Sequence, residues 1–401
     1  MGLLGALEAA RHGRLAVSAA RIAGVAAYAR HRVGVARSPV GRSPRRRPPA
    51  EGVAVTPHRS HQKLSIVIVT FNCADDVEGC LRSIASNPPP CEHEIVVIDN
   101  NSSDGTRDRV RAVPGVRLIE RPDNAGYGTA VNEAVATTDG SHLLFLNPDT
   151  IITRGSLGAM LAALASAPVR VGVVGPRLML TTGEPQLSAR RFPAPGRLWA
   201  EVLRLHRMLP ARLSSDGRRT GYFPPDVSGP VDWVSGACHL IPREVWDRAG
   251  ALTEETFLGF DDLEYCWRLH QLGYATWFCA DAEVIHECSA AVGERWSLIR
   301  VEELAIHNFY VIATDYLSWP ERKLLNAAEI VGALSELVVA QGKGVDSLSE
   351  DGSRRARIIA RIRLLSGLFF GRIRPIRRCE PSNDRPPVVH TSATYTAGAG
   401  H

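Results

Sequence analysis

The 401-residue chain is 45% hydrophobic and 22% charged, with a formal net charge of +5. That balance excludes a disordered or fibrous chain and leaves room for one large domain with appendages or two ordinary domains. The eight cysteines, at positions 73, 80, 91, 238, 266, 279, 288 and 379, form no CxxC pair and no zinc-type spacing, so reduced thiols in a cytoplasmic compartment are expected.

In chain order, the opening stretch MGLLGALEAARHGRLAVSAARIAGVAAYARHRV has apolar faces interrupted by Arg11, Arg14, Arg21 and Arg30. These arginines recur too often for a secretory h-region or a spanning helix. From Arg37 to Gln62 proline and arginine dominate without periodicity, which reads as a linker. Residues 1–62 are therefore expected to be a basic extension, with a globular domain starting at 63.

LSIVIVTFN (64–72) is a continuous β-branched run, the pattern of a strand buried on both faces. DDVEGCLRSIA follows with helical spacing at Val77, Cys80, Leu81 and Ile84. The alternation continues through EIVVIDN, a helix after Ser103, VRLIE, GTAVNEAVA, LLFLNPD, SLGAMLAALA and VGVVG. Strands and helices alternating at this pace predict an α/β fold with a parallel, doubly wound sheet. In such a sheet ligands bind at the carboxyl ends of the strands, where Asn72, Asp99 and Asp149 all fall. Beyond residue 180 the alternation loosens; TTGEPQ reads as a hairpin, and a Pro, Gly and Arg-rich stretch to about 230 reads as loops.

Several of these signals have two readings. Asp99 in IDNNSSDGT suits a helix cap, taken alone. NAGYGTAVNEA invites a dinucleotide-loop reading, but Val131 stands where GxGxxG needs its third small residue, and the RPDNA loop separates strand from glycines. Asn147 is either a turn former before Pro148 or a polar contact. GFDDLEYCWRL sets Asp261, Asp262 and Glu264 at the start of a helix. Acids there favour the macrodipole by roughly 0.3–1 kcal/mol each, but three exceed what capping needs.

The order of motifs over about 230 residues resembles the family 2 glycosyltransferases of the GT-A fold, especially bacterial rhamnosyltransferase-like enzymes. The matching stretches are IVTFN, VIDNNSSDGT, RPDNAGYGTAVNEA, LNPDT, VDWVSGACHLIPREVW, GFDDLEYCWRL and VIH (284–286), within residues 63–315. The resemblance implies a catalytic domain over 63–315 that uses a nucleoside-diphosphate sugar. Thr70, Asn72 and Asp99 would contact the nucleotide base and ribose; Asn124 and Gly126 would shape the diphosphate side. Asp149 would hold a divalent metal, Mg²⁺ or Mn²⁺, completed by His286, which is otherwise an ordinary buried or surface histidine. A cation there neutralises the dianionic leaving group. The sequence departs from the common DxD pattern because Asn147 replaces the first Asp, which removes one negative charge or leaves Asn147 to contact the sugar or ribose. The acidic motif implies a general base, assigned to Asp262 with Asp261 as its rival, and its spacing also resembles galactofuranosyltransferases.

GSRRARIIARIRLLSGLFFGRIRPIRRC (352–379) interleaves arginines with Ile, Leu and Phe and contains no acid. It predicts an amphipathic basic helix on an anionic membrane, set against a plain helix packed on the domain. Its apolar face suits acyl chains better than nucleic acid, which is not expected as a partner. Residues 316–379 are thus expected to be C-terminal helices, and 380–401 a disordered tail. The composite expectation is an inverting, metal-dependent hexosyltransferase, peripheral at the inner membrane face, moving L-rhamnose to a lipid-linked or polysaccharide acceptor of the cell envelope. A galactofuranosyl or other hexosyl donor, and a non-catalytic sugar-nucleotide or glycan binding module, are the alternatives.

Overall fold

The computed structural model describes residues 62–203, 221–287, 298–341 and 348–373. The basic N-terminal extension and its linker, the tail from 380, the end of the basic segment at 374–379, and Cys288 and Cys379 lie outside the described residues. The six described cysteines are free thiols.

The first half follows the alternation: β1 (Lys63–Thr70), α1 (Ala74–Ser86), β2 (Glu92–Asp99), α2 (Thr106–Arg111), β3 (Val116–Glu120), α3 (Tyr127–Val135) and β4 (His142–Leu146). Next come β5 (Thr150–Ile152), α4 (Ser156–Ser166), β6 (Val171–Met179), β7 (Pro185–Gln186), β8 (Ala189–Arg190) and α5 (Pro195–Val202). The chain continues through β9 (Gly229–Val231), β10 (Trp233–Val234), β11 (Cys238–Pro242), α6 (Arg243–Ala249), α7 (Asp261–Gln271) and β12 (Ala275–His286). Three helices close the described chain, α8 (Leu298–Tyr316), α9 (Trp319–Gln341) and α10 (Leu348–Phe369).

Ten strands form one sheet in the order β3-β2-β1-β4-β11-β6-β12-β5, with β7 on β6 and β9 on β12. β1 is buried from Leu64 to Thr70, as its unbroken β-branched run requires. Apolar clusters line both sheet faces. Ile66, Ile68, Val77, Cys80, Leu144 and Met160 meet in one, and Val67, Val131, Phe145, Trp246, Leu263 and Phe309 in the other. TTGEPQ does turn a hairpin: Gly183 has φ +81 and Leu180 N donates to Glu184 O at 2.8 Å.

Several pairings depart from a uniformly parallel sheet, and two of them position the site. β11 inserts antiparallel between β4 and β6, with Cys238 opposite Leu146 and Pro242 opposite His142. The turn 235–237 therefore arrives at the carboxyl end of β4. β5 then pairs antiparallel with the end of β12, so that His286 stands opposite Thr150.

The basic helix also departs from its expected placement. Ile358, Leu364 and Leu365 are buried, and Arg361 is 1% exposed. The Arg361 guanidinium meets Glu302 on α8 at 3.3 Å and Glu336 on α9 at 3.7 Å. A buried cation needs such counter-charges, and these acids lie too far away in sequence for helical periodicity to reveal them. Much of the stripe expected to face lipid is packed on α8 and α9. No helix among the described residues is long and apolar enough to cross a membrane.

Candidate active site

Two polar centres form along the carboxyl edge of the sheet. At the first, Thr70 and Asp99 are direct neighbours in the β1–β2 register, and Thr70 Oγ1 donates to Asp99 Oδ2 at 2.9 Å. Asp99 also accepts from Ser102 N at 2.8 Å, Ser102 Oγ at 2.5 Å and Arg107 Nε at 2.6 Å. Asn72, in the left-handed region at φ 49, accepts from Ser103 N at 2.6 Å. Its own N–H donates to Ser102 Oγ at 2.7 Å. Asp99, with no exposed surface, is thus tied into the polypeptide through Thr70, Ser102 and Arg107, while Asn72 locks the two loops together.

Asn124 Oδ1 accepts from Gly126 N at 3.2 Å. Gly126 itself has a packing reason: at φ +91, a Cβ would lie 2.5 Å from Phe257 O. The following Tyr127 N donates to that same carbonyl at 3.0 Å. The glycine thus lets the loop ahead of α7 close over the start of α3.

The second centre gathers Asn147, Asp149, His286, Asp261 and Asp262. His286 Nε2 lies 3.4 Å from Asp149 Oδ1 and 3.4 Å from Asn147 Nδ2, and all three side chains are buried. On its other edge His286 Nδ1 lies 2.9 Å from Gln186 Oε1. An amide oxygen only accepts, so Nδ1 donates there, and Nε2 faces the Asp149 carboxylate and the Asn147 amide. A histidine held in this way, with its far nitrogen donating to an acceptor, has the form of a metal ligand.

Among the described residues, no group of three His, Cys, Asp or Glu side chains converges on a point. The donor set is one carboxylate and one imidazole beside an amide. It fits a cation that takes oxygen ligands and accepts nitrogen, as Mn²⁺ does, with remaining positions filled by oxygens of a bound anion.

The turn between β10 and β11 joins this group to the acids. Asn147 N donates to Ala237 O at 2.9 Å, and Gly236 N donates to Asp262 Oδ2 at 2.9 Å. Two consecutive residues thus hold the metal-type pair and the acidic motif together. Asp262 Oδ1 also lies 2.8 Å from Leu263 N. The acids separate by role. Glu264 binds Arg268 through two nitrogens, at 3.1 and 2.7 Å, and accepts from Tyr316 OH at 2.6 Å. It ties α7 to α8. Asp261 and Asp262 are buried; burial, then the neighbouring charge of Asp262, pushes Asp261 up to about 7. Burial, then the charges of these two acids, also pushes the Tyr127 phenol up, so Tyr127 lies within their field. Burial in such a pair thus favours the protonated form of Asp261 toward neutral pH.

The sequence missed the Asp99 partners Ser102 and Arg107, the connector Gly236–Ala237, and Gln186. SGA stood inside a recognised motif without a role, and Gln186 closes a hairpin that was itself legible.

Comparison with known proteins first defines the class. A structure of GalNAc-T7 with UDP, GalNAc and Mn²⁺ aligns over 75% of this chain and 55% of its own, with TM-score 0.50 and 15% identity, which shows the GT-A fold. The Glycosyl transferase family 2 profile matches residues 65–199. N-acetylglucosaminyl-diphospho-decaprenol L-rhamnosyltransferase of Mycobacterium tuberculosis is 28% identical over 258 residues, 57% of this chain and 78% of that protein. The low-salt glycan biosynthesis hexosyltransferase Agl10 of Haloferax volcanii is 24% identical over 228 residues, 56% of this chain and 66% of that protein. Residues 65–199 thus match the family 2 glycosyltransferases, and the chain is similar in sequence to a rhamnosyltransferase.

Proposed function

We propose that residues 63–315 transfer a hexose, L-rhamnose foremost, from a nucleoside diphosphate to a hydroxyl of a lipid-linked acceptor in envelope glycan synthesis, with inversion. The observation that carries this reading is the bridge from Asn147 to Asp262 through Ala237 and Gly236. It links the loop that carries Asp149 to the helix that carries the base candidate. The rhamnose preference rests on the mycobacterial relative.

Asp149 and His286 would hold a divalent cation, Mg²⁺ or Mn²⁺, which when bound neutralises charge developing on the departing nucleoside diphosphate. Thr70, Asn72 and Asp99 frame the nucleotide side, and Asn124 with Gly126 borders the diphosphate side. Asp262, oriented by Gly236 N–H, takes the proton from the acceptor hydroxyl as that oxygen attacks the anomeric carbon. Displacement with one base and no enzyme nucleophile inverts the centre.

Membrane contact, first expected of the basic helix, fits α9 better. Leu324, Val331, Leu334 and Val338 form an exposed stripe on that helix, with Trp319 exposed at its start and Phe370 just beyond α10. Lys323 lies over Trp319 and Arg372 over Phe370, each at 5.7 Å from the ring centroid. Apolar residues bordered by aromatics and cations suit an anionic bilayer at the cytoplasmic face.

The test is a nucleotide-sugar panel titrated with Mn²⁺ into the parent and Asp149→Asn. One donor, dTDP-rhamnose foremost, should bind the parent metal-dependently and bind the variant at least ~10-fold more weakly. Equal binding by both would overturn the metal assignment, and no binding of any donor would favour a glycan-binding module.

A further inference from the structure

Away from this centre, two neighbouring arginines present buried donors that find no acceptor. Arg191 follows β8 and Arg197 lies in α5. Arg191 Nη1 and Arg197 Nε and Nη1 are buried and make no hydrogen bond within the described protein. Their other contacts are few. Arg197 Nη2 donates to Phe192 O at 3.3 Å, and the Arg191 guanidinium lies over the Phe223 ring at 4.2 Å. Arg190 next door differs: it is buried between the rings of Tyr222 and Trp233, at 5.2 and 5.1 Å, as a packing element.

The electrostatics agree with the geometry. Burial, then the like charge of Arg191, pushes Arg197 down from its usual value, and burial does the same to Arg191. Asp232 attracts both but accepts from Phe192 N at 2.8 Å, and its own carboxyl is pushed up by burial. His270 also acts on Asp232. Guanidinium groups do not give up their proton in proteins. A desolvated, under-paired cation pair with free forks is suited to a phosphate oxyanion, which such forks bind bidentately.

The pair is tied to the helix that carries the acidic motif. Between the two arginines, Phe192 stacks on Trp267 of α7 at 5.1 Å and meets His270 edge-on at 5.7 Å. Trp267 is five residues beyond Asp262 on the same helix, roughly 7.5 Å along its axis. The segment that carries the pair thus packs on the helix of the base candidate, on elements other than those of Asp149 and His286.

We propose that Arg191 and Arg197 bind the phosphate or diphosphate group of the acceptor, beside the helix that carries Asp262. This rests on the glycosyltransferase reading for the acceptor's identity, whereas oxyanion binding itself does not.

The experiment uses the full chain with Arg191→Gln, Arg197→Gln and Arg197→Lys, each checked for an unchanged thermal melt. Inorganic pyrophosphate is titrated calorimetrically without divalent metal, and initial rates are measured with a prenyl-diphosphate-linked sugar acceptor. Each Gln variant should weaken pyrophosphate by about tenfold, the loss of one charge-assisted contact. It should raise the acceptor KM by a similar factor and leave donor hydrolysis without acceptor unchanged; Arg197→Lys should recover part of the loss. Parent-like pyrophosphate affinity in both Gln variants would overturn the site. So would an unchanged acceptor KM with loss of binding to phosphatidylglycerol vesicles, which would assign the arginines to lipid headgroups. If no donor is turned over at all, the glycosyltransferase reading fails, while the pyrophosphate titration still decides the oxyanion site.

Discussion

Asp99 and Asp149 both stand where a strand of one sheet gives way to a loop, yet the fold uses them differently. The oxygens of Asp99 are taken up by Thr70, Ser102 and Arg107 within hydrogen-bond distance. Asp149 instead faces an imidazole nitrogen at 3.4 Å, longer than an ordinary hydrogen bond. Removing Asp99 should therefore damage the scaffold, and removing groups of the second centre should damage chemistry. The experiments below separate these two expectations.

The largest effect is expected at Asp262. Asp262→Asn keeps size and can still accept from Gly236 N–H, but it removes the basicity. Turnover should fall by ~10²–10⁴-fold with donor affinity nearly intact, measured as acceptor-dependent rate against donor titration. Asp261→Asn should retain far more activity, because that residue holds the proton of the pair. Should Asp261→Asn be dead and Asp262→Asn active, the base is Asp261.

Asp99→Asn should act in the opposite way. It leaves the partly buried Arg107 without its carboxylate and unbalances three hydrogen bonds, at a cost of about 3 kcal/mol. Urea unfolding should show the lower midpoint, whereas Asp149→Asn should shift it much less. A parent-like midpoint for Asp99→Asn would mean that the network is dispensable for folding.

How much of this was legible in the sequence follows from what each feature depends on. β1, β2 and β4 were readable because strands buried on both faces need unbroken apolar runs, and their ends located Asp99 and Asp149. The antiparallel entry of β11 was not, since CHLIP is as apolar as a parallel strand and only its pairing with β4 gives its direction. Gly126 was read as shaping a phosphate site, and the approach of Phe257, over a hundred residues away, adds a packing reason that the local sequence could not show. The burial of Arg361 was not legible in the basic segment because its partners Glu302 and Glu336 sit on other helices. Local periodicity gives elements and faces; partners distant in sequence decide which polar residue is structural.

Asp261 offers a pH test of the buried pair. Its folded value, about 7, lies above the ordinary 3.8, so between about pH 4 and 7 the folded chain holds a proton that the unfolded chain releases. The stability tied to this group is therefore present below pH 4 and is lost as pH rises to 7, at up to about 1.4 kcal/mol per pH unit. Asp261→Asn should remove this slope, so the parent-minus-variant difference in denaturant unfolding should fall as pH rises across that window. A difference that does not change with pH would show that Asp261 ionises at its ordinary value.

The smallest and sharpest test concerns Gln186, which touches neither donor nor acceptor in the proposed mechanism. Its oxygen, 2.9 Å from His286 Nδ1, fixes the proton on that nitrogen and leaves Nε2 to face Asp149. Gln186→Leu keeps much of the volume but removes the acceptor, so the imidazole becomes free to carry its proton on Nε2. In that tautomer Nε2 cannot ligate a metal. Mn²⁺ affinity, read from the free-ion paramagnetic resonance signal, should then fall about tenfold, with little change in unfolding midpoint. Gln186→Glu retains an acceptor at the same place and should hold Mn²⁺ at least as well as the parent. If Gln186→Leu binds Mn²⁺ like the parent while His286→Ala does not, the ring is oriented by its surroundings rather than by Gln186. If His286→Ala also binds normally, the imidazole is no ligand, and the second centre holds its cation through Asp149 without His286.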